Sequence, residues 1–467
     1  MNVDLIRPIG IRILAAAVLG LGALGSGPAV AQSLYDALAL AYLNNPVLLA
    51  QRASLRATDE RVPQALSGWR PTVVATGSLG VEYSSATPVV IAPGAGTSFA
   101  SGVGITVRQP LFRGFRTTAE TQQADNLVRA GRADLVSTEQ KVLADSVTAY
   151  LNVLRDQAIL EINIKNEQVL RRELEATRDR FEVGEVTRTD VAQAESRVAR
   201  SLADRVAAEG DLESSRADYV RVIGAAPGKL ELPVPYAELP DDLFHAKALA
   251  VTNNPLVMAA LAREAAARDT VDLVTGELLP SVSLDGSYFY TDNPSFARTS
   301  SETGSIGAVV TVPIYQAGAV TSRVRESKQI VSLRRMEIVD SKRFAVEQTT
   351  QAWEGLVTSR AQVVAFREET RSARIALEGV QEESQAGLRT VLDVLDAEQE
   401  YLDARVNLVV ARRDEVVASY LLLATLGNLT ALVLQLDVPI YDPVAHYQSV
   451  RGLLWDLGKE PAPTPIE

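Results

Sequence analysis

Two aspartates in the second half of the chain, Asp393 and Asp396, are close enough in sequence for their carboxylates to act together on an ion. They stand three positions apart, so a helix would carry both carboxylates on one face. If several copies of the chain surround an axis, each aspartate contributes one ring of carboxylates. Such rings repel internally, need a counter-cation and favour cations in a narrow pore. The simpler alternative is that acids in the first turn of a helix act as caps, and it fits Asp190 and Asp393 equally well.

Residue types typical of enzymes are scarce. The chain has no cysteine and two histidines, His245 and His446, which are far apart in the sequence. No Ser/His/Asp, metal-ligand or phosphate-cradling spacing occurs. We therefore predict no catalytic, cofactor or metal site and no enzyme activity. The net charge of −12 argues against a nucleic-acid partner.

Glycines mark two chain reversals. Gly387 interrupts a long run with helical hydrophobic spacing and almost no Gly or Pro, and Gly184 does the same earlier in the chain. Because glycine accepts the backbone angles of a tight reversal, each is predicted to be the tip of a long helical hairpin. Asp190, Asp393 and Asp396 then fall in the helices that return from these tips.

The two tips belong to an internal repeat. Asn44-Asn45-Pro46 returns as Asn253-Asn254-Pro255 at an offset of 209, whereas Gly184 returns as Gly387 at an offset of 203. One six-residue length change accounts for the whole shift, which favours a direct duplication. We predict repeats at 32–228 and 229–435, followed by a tail at 436–467 whose Pro-rich end is disordered.

The first 31 residues predict a secretory signal peptide. Arg7 and Arg12 supply positive charge, residues 13–25 are apolar, and Ala29-Val30-Ala31 is a small-x-small cleavage site. A membrane anchor is the alternative. The mature protein is then expected in the periplasm, outside the cell or in the outer membrane.

Each repeat is predicted to hold a helix, two strands and a long helical hairpin. Apolar and polar residues alternate in the strands, which we place at about 71–84, 99–111, 280–290 and 304–314. The outgoing helices, 116–182 and 317–385, would each span roughly 100 Å. The returning helices at 187–223 and 390–426 are about half as long. We therefore expect each to stack end to end with the helix before the strands.

Four strands do not close a transmembrane barrel, because such barrels have at least eight. Two copies would supply eight strands and three would supply twelve, and alternation does not decide between them. A soluble sheet packed on the helices is the alternative. Aromatic residues at or near the strand ends suit the girdle of a membrane interface, namely Tyr83, Phe112, Tyr288, Tyr290 and Tyr315.

The duplicated plan resembles the TolC family of outer-membrane channels over residues 32–435. It implies a mainly α fold with a small β part: a trimer whose twelve strands form one outer-membrane β-barrel, continued by a long periplasmic α-helical coiled-coil barrel. The implied partners are outer-membrane lipid, a periplasmic adaptor (membrane fusion) protein and an inner-membrane ABC transporter or other pump. The motifs that carry the resemblance are Arg180-Phe181-Glu182-Val183-Gly184, Gln109-Pro110-Leu111-Phe112, Val312-Pro313-Ile314-Tyr315-Gln316-Ala317-Gly318 and the stretch from Leu388 to Ala397.

The tail is similar to the C-terminal segment of the branch that serves type I protein secretion, on the stretch from Val438 to Tyr447, on Val450-Arg451 and on Trp455. That resemblance implies a passive exit duct for proteins. A multidrug efflux channel is the alternative within the family. A soluble periplasmic coiled-coil adaptor is the alternative of another class.

The family resemblance also implies a periplasmic gate at the tips. Asp393 and Asp396 would form its carboxylate rings, and Arg389 would act as a latch donor to Thr189 and Asp190 of the other tip. The family often has a tyrosine three residues before the tip glycine, where this chain has Ser384.

Overall fold

The computed structural model describes residues 32–84, 96–293 and 299–458. The predicted signal peptide, parts of both strand-connecting loops and the Pro-rich end lie outside the described residues. Within the described ranges the chain is mostly helical, with one four-stranded antiparallel sheet. No helix there combines the length and the apolar character needed to cross a membrane.

The order of elements occurs twice. Helices α1 (Leu34–Asn44), α2 (Pro46–Asp59) and α3 (Arg61–Leu66) precede strands β1 (Thr72–Ser84) and β2 (Gly96–Phe112), then α4 (Arg116–Glu182) and α5 (Arg188–Ile223). The second set is α6 (Leu243–Asn253), α7 (Pro255–Thr275), β3 (Ser281–Asn293), β4 (Thr299–Thr311), α8 (Ala319–Gln385) and α9 (Val391–Thr425). A short helix, α10 (Ala445–Arg451), lies in the tail.

The first helical stretch is broken where the sequence predicts one continuous run. Asn45 adopts an extended conformation between α1 and α2. The cause is Pro46, whose ring disfavours the helical region for the residue before it. A second break, at Glu60, separates α2 from α3.

The repeated Asn-Pro pair joins helices end to end. The Asn45 side chain accepts a hydrogen bond from the Val47 amide (2.9 Å) and donates one to the Val222 carbonyl (2.8 Å), in the last turn of α5. Asn254 likewise donates to the Thr425 carbonyl (3.2 Å) at the end of α9. Each asparagine therefore starts one helix and satisfies a free carbonyl of another. The stacked pairs lie along α4 and α8, as their lengths predict.

The largest core of the described residues lies where these stacks pack against the middle of α4. Tyr150, Tyr219 and Tyr420 are buried there among leucine and valine side chains from α1, α4, α5 and α9. The Tyr150 hydroxyl donates to the Gln32 carbonyl at 2.7 Å, and burial raises the pKa of Tyr150 to about 12. The hydroxyl therefore stays protonated at physiological pH and ties the start of the described chain to α4.

Candidate functional site

The two hairpin tips are built alike. Gly184 has φ +81° and Gly387 has φ +76°, in the left-handed region that favours glycine. The Glu185 amide donates to the Arg180 carbonyl, and the Leu388 amide donates to the Glu383 carbonyl, each at 2.9 Å. These bonds close the ends of α4 and α8 in the Schellman arrangement, so the chain reverses tightly at both tips.

Asp190 and Asp393 cap the helices that return from the tips. The Thr187 amide donates to the Asp190 carboxylate (2.8 Å), and the Thr390 amide donates to the Asp393 carboxylate (2.9 Å). Each aspartate amide in turn donates to the threonine hydroxyl. The bonds from Thr390 hold the pKa of Asp393 below its usual value. Both carboxylates are thus committed to reciprocal capping boxes.

Asp396 makes a contact between the two hairpins. Its Oδ1 lies 2.5 Å from Nη2 of Arg197, on α5, while Asp396 itself lies on α9. Sequence reasoning did not identify Arg197 as a site residue. Its spacing from Asp190 could have indicated it as a candidate. Arg197 follows Asp190 by seven residues, or two helical turns, so both lie on one face of α5.

Arg389 bonds within its own hairpin. Its Nε lies 2.7 Å from Glu383 Oε2, in the last turn of α8, because the tight turn at Gly387 brings these two side chains together. The described chain shows no bond from Arg389 to Thr189 or Asp190. A latch from Arg389 to those two residues in a neighbouring copy stays a prediction.

A small apolar cluster supports the tips, with a partly buried acid next to it. Leu170, Ala194, Val391 and Leu395 pack together between the hairpins. Farther along α9, Glu398 accepts a hydrogen bond from Gln381 at 2.9 Å. Burial, reinforced by the negative charge of Glu173, raises the pKa of Glu398.

The strand register brings apolar residues of all four strands to one face. Ile105 pairs with Ala75 and with Tyr288, and Gly286 pairs with Ile306. This apolar face is exposed; Leu79 is 85% exposed and Ile306 80%. Its members include Val73, Leu79, Val81, Tyr83, Val103, Ile105, Val107, Leu284, Tyr288, Tyr290, Ile306 and Val310.

The opposite face is more polar. Arg108 and Asp285 are cross-strand neighbours and form a two-bond ion pair, with Nε–Oδ1 at 3.0 Å. The ring of Phe289 lies over Gly104, where any larger side chain would collide with it. The sheet therefore has one apolar and one largely hydrophilic side.

Both edges of the sheet are open in the single chain. The strand order is β1-β2-β3-β4, so β1 and β4 each lack a neighbour on one side within the described residues. Each of these strands has 13 residues. Long unpaired edges of this kind are templates for pairing with another chain.

The predicted interface aromatics lie at different heights on the sheet. Tyr83 is near the end of β1, whereas Tyr288 and Tyr290 lie inside β3, and Tyr315 follows β4. Phe112 ends β2 beside the helices and packs edge to face with Phe115, at 5.1 Å between ring centroids. Their role at a membrane interface stays a prediction.

Comparison with known proteins identifies the family. The family model described as outer membrane efflux protein matches residues 37–225 and 248–428. Outer membrane efflux protein BepC of Brucella suis is 37% identical, with 96% of each chain covered. Outer membrane protein TolC of Vibrio cholerae is 28% identical, over 83% of this chain and 89% of that one. Alkaline protease secretion protein AprF of Pseudomonas aeruginosa is 23% identical over 67% of each chain.

Solved structures agree on the fold. The Campylobacter jejuni CmeC outer membrane channel superposes with a TM-score of 0.77 at 15% identity, covering 90% of this chain and 89% of that one. At this identity the likeness concerns the fold alone. Among the described residues, no group of acidic and histidine side chains is arranged to hold a metal ion. The match across most of the chain shows that this protein belongs to the outer membrane efflux protein family, which includes TolC, and is an outer-membrane channel, not an enzyme.

Proposed function

We propose that three copies of this chain assemble into one passive duct across the outer membrane, each copy contributing its four strands to a shared barrel. The observation that carries the proposal is the combination of an exposed apolar face with two open edges. Pairing β4 of one copy with β1 of the next would satisfy the edges, and lipid would cover the apolar face. The helical hairpins would then extend into the periplasm.

Two neighbouring residues on opposite faces of β1 test this arrangement. Leu79 lies on the apolar face and Ser78 on the polar face. Leu79→Lys should cost about 2–4 kcal/mol if the site is near the bilayer midplane, whereas Ser78→Lys should be tolerated in a hydrated lumen. The measurement is heat-modifiable gel mobility of the trimer extracted from outer membranes. Equal trimer yield from both variants would contradict the proposal.

For the cargo, we propose type I protein secretion, driven by an inner-membrane ABC transporter through a periplasmic adaptor that contacts the hairpin tips. The similarity to AprF, a protease secretion protein, and the tail motif support this assignment. Drug efflux is the second candidate, because BepC is named an efflux protein and covers 96% of this chain. A soluble adaptor is set aside, since the family is one of outer-membrane channels.

Deletion of the gene separates the two cargoes. Type I secretion predicts the loss of specific proteins from the culture medium, with drug susceptibility unchanged. Drug efflux predicts increased drug susceptibility, with the proteins of the culture medium unchanged. Restoring the lost phenotype with a plasmid copy of the gene controls for polar effects on neighbouring genes.

The hairpin tips are the proposed gate. Gly184 and Gly387 set the reversals, and the residues proposed to close the aperture are Asp393, Asp396, Arg389, Thr189 and Asp190. In support, Asp396 joins the two hairpins through its ion pair with Arg197. Asp190 and Asp393 stabilise the first turns of the returning helices through their capping boxes. Opening then requires that contacts between the hairpins break.

A further inference from the structure

The tail is fixed to the first repeat by polar contacts of α10. His446 Nδ1 lies 3.0 Å from the buried Asp59 carboxylate at the end of α2. The Tyr447 hydroxyl donates to Asp125 of α4 at 2.7 Å. These two contacts hold α10 against the membrane-proximal helices, so the residues after α10 start from a defined place.

The residues after α10 reach the foot of the sheet. Arg70 Nη1 donates to the Leu453 carbonyl at 2.7 Å, and Arg70 stands two residues before β1 begins. Val73, the first member of the apolar face, is three residues from Arg70, or roughly 10 Å along an extended strand. The segment 453–457 therefore lies at the level where the apolar face starts.

This segment exposes four large apolar side chains, of which Leu453 is the least exposed at 38% and the other three are largely exposed. Leu454 is 78% exposed, Trp455 92% and Leu457 98%. Full burial of such a side chain contributes about 1.5–3 kcal/mol, so exposure of three together is unfavourable in water. Another tryptophan, Trp69, lies next to Arg70 and is 41% exposed. Tryptophan is enriched at membrane–water interfaces, where its ring is both apolar and able to donate a hydrogen bond.

We propose that residues 453–457 form an interfacial anchor that inserts Trp455 and its leucine neighbours into the periplasmic leaflet of the outer membrane, outside the barrel, an inference that rests on the proposed function. The segment lies beside the foot of the apolar face, which we propose to be covered by lipid. Lipid is therefore the partner that would also cover the side chains of this segment. The contacts of Arg70, His446 and Tyr447 hold the anchor at the correct height. The tail then adds an attachment to lipid beyond that made by the strands.

Single-tryptophan variants test the anchor in vesicles. Trp69→Phe and Trp353→Phe leave Trp455 as the only tryptophan of the mature chain. The full-length mature trimer is reconstituted into phosphatidylcholine vesicles whose acyl chains carry bromine close to the headgroups. Trp455 emission should shift to the blue and fall about two-fold relative to unbrominated vesicles, as for an interfacial indole. A variant that keeps only Trp353, within α8 and roughly 50 Å from its membrane end, should not be quenched.

Two further outcomes separate the possible failures. In a tryptophan-free background, Leu79→Trp reports whether the sheet itself meets lipid, provided that the vesicles carry bromine near the ends of the acyl chains, because this site is expected near the bilayer midplane. If Leu79→Trp is quenched while Trp455 is not, the anchor is wrong and the proposed duct stands. If neither is quenched, the duct itself is wrong. Blue-shifted but unquenched Trp455 emission would assign the segment to a contact with a neighbouring subunit and would also overturn the anchor.

Discussion

Arg197 and Asp396 are 199 residues apart in sequence and form the ion pair that joins the two hairpins near their tips. The shortest distance, 2.5 Å, lies between Arg197 Nη2 and Asp396 Oδ1. Asp396 is one of the two carboxylates predicted to face the pore, and the structure shows that it already has a cation from its own chain. The proposed gate would therefore be held in part by a bond within each subunit.

The first prediction concerns this ion pair. Arg197→Gln should loosen the contact between α5 and α9 and raise single-channel conductance in planar bilayers. Both side chains are partly exposed, so the pair contributes about 1 kcal/mol or less in each subunit, and its loss should raise the open fraction at most about five-fold for each subunit of the proposed trimer. Asp396→Asn should have a similar effect, and the double variant should be no leakier than the stronger single one, because one interaction is removed in all three.

Arg178→Gln is the matched control for Arg197→Gln. Arg178 pairs with Glu195 at 2.6 Å, but this pair lies within one hairpin, between α4 and α5. Its loss should leave conductance unchanged. Equal conductance increases in both variants would show that the charge of any tip arginine matters, and not the contact between hairpins.

The second prediction separates the charge of Asp393 from its capping role. Asp393→Ala removes the carboxylate half of the capping box of α9, at a cost of about 0.3–1.5 kcal/mol to the local helix, and should raise conductance. Asp393→Asn keeps an acceptor for the Thr390 amide, so the channel should stay closed if the capping role of this residue is what matters. If the carboxylate ring itself closes the pore, both variants will leak equally. Arg389→Ser combined with Asp393→Ala should leak more than Asp393→Ala alone, and unchanged conductance would contradict a latch role for Arg389.

The third prediction is a pH dependence at Glu398. Its pKa is raised in the folded protein by burial and by Glu173, so the ionised form destabilises the packed hairpins at neutral pH. As pH falls through the raised pKa, the carboxyl becomes protonated and the folded state gains stability relative to the unfolded chain. Glu398→Gln should therefore raise the melting temperature at pH 7, and the difference should shrink as pH falls through the raised pKa and be lost below about pH 4.5, the region of an ordinary glutamate pKa.

Glu400→Gln controls for the loss of one negative charge near the tips. Glu400 is exposed on the same helix, two residues farther on. The expected melting temperature of this variant equals that of the original protein across the same pH range. A parallel shift in both variants would assign the effect to net charge.

The sequence predicts the parts of this fold that depend on local rules. Gly184 and Gly387 can be recognised as tips because a reversal with positive φ favours glycine. The contact between Arg197 and Asp396 was not predictable in this way, because it depends on how α5 packs against α9. The bond of Arg389 to Glu383 was missed for a related reason: family resemblance suggested a partner on the other tip, whereas the tight turn supplies one nearby. The anchoring of the tail through His446 and Asp59 likewise depends on long-range packing.

The last prediction concerns the joint between stacked helices. Asn45→Ala removes both the cap of α2 and the donor to the Val222 carbonyl, leaving a buried carbonyl without its partner, and should cost about 1–3 kcal/mol. Asn45→Asp keeps the cap but brings a carboxylate against that carbonyl, so it should also be destabilising. Asn44→Ala, at the adjacent exposed position, is the control and should have little effect. The measurement is the temperature at which the detergent-solubilised trimer loses helical circular dichroism; unchanged values for Asn45→Ala and Asn45→Asp would show that the stacked helices hold together without this asparagine.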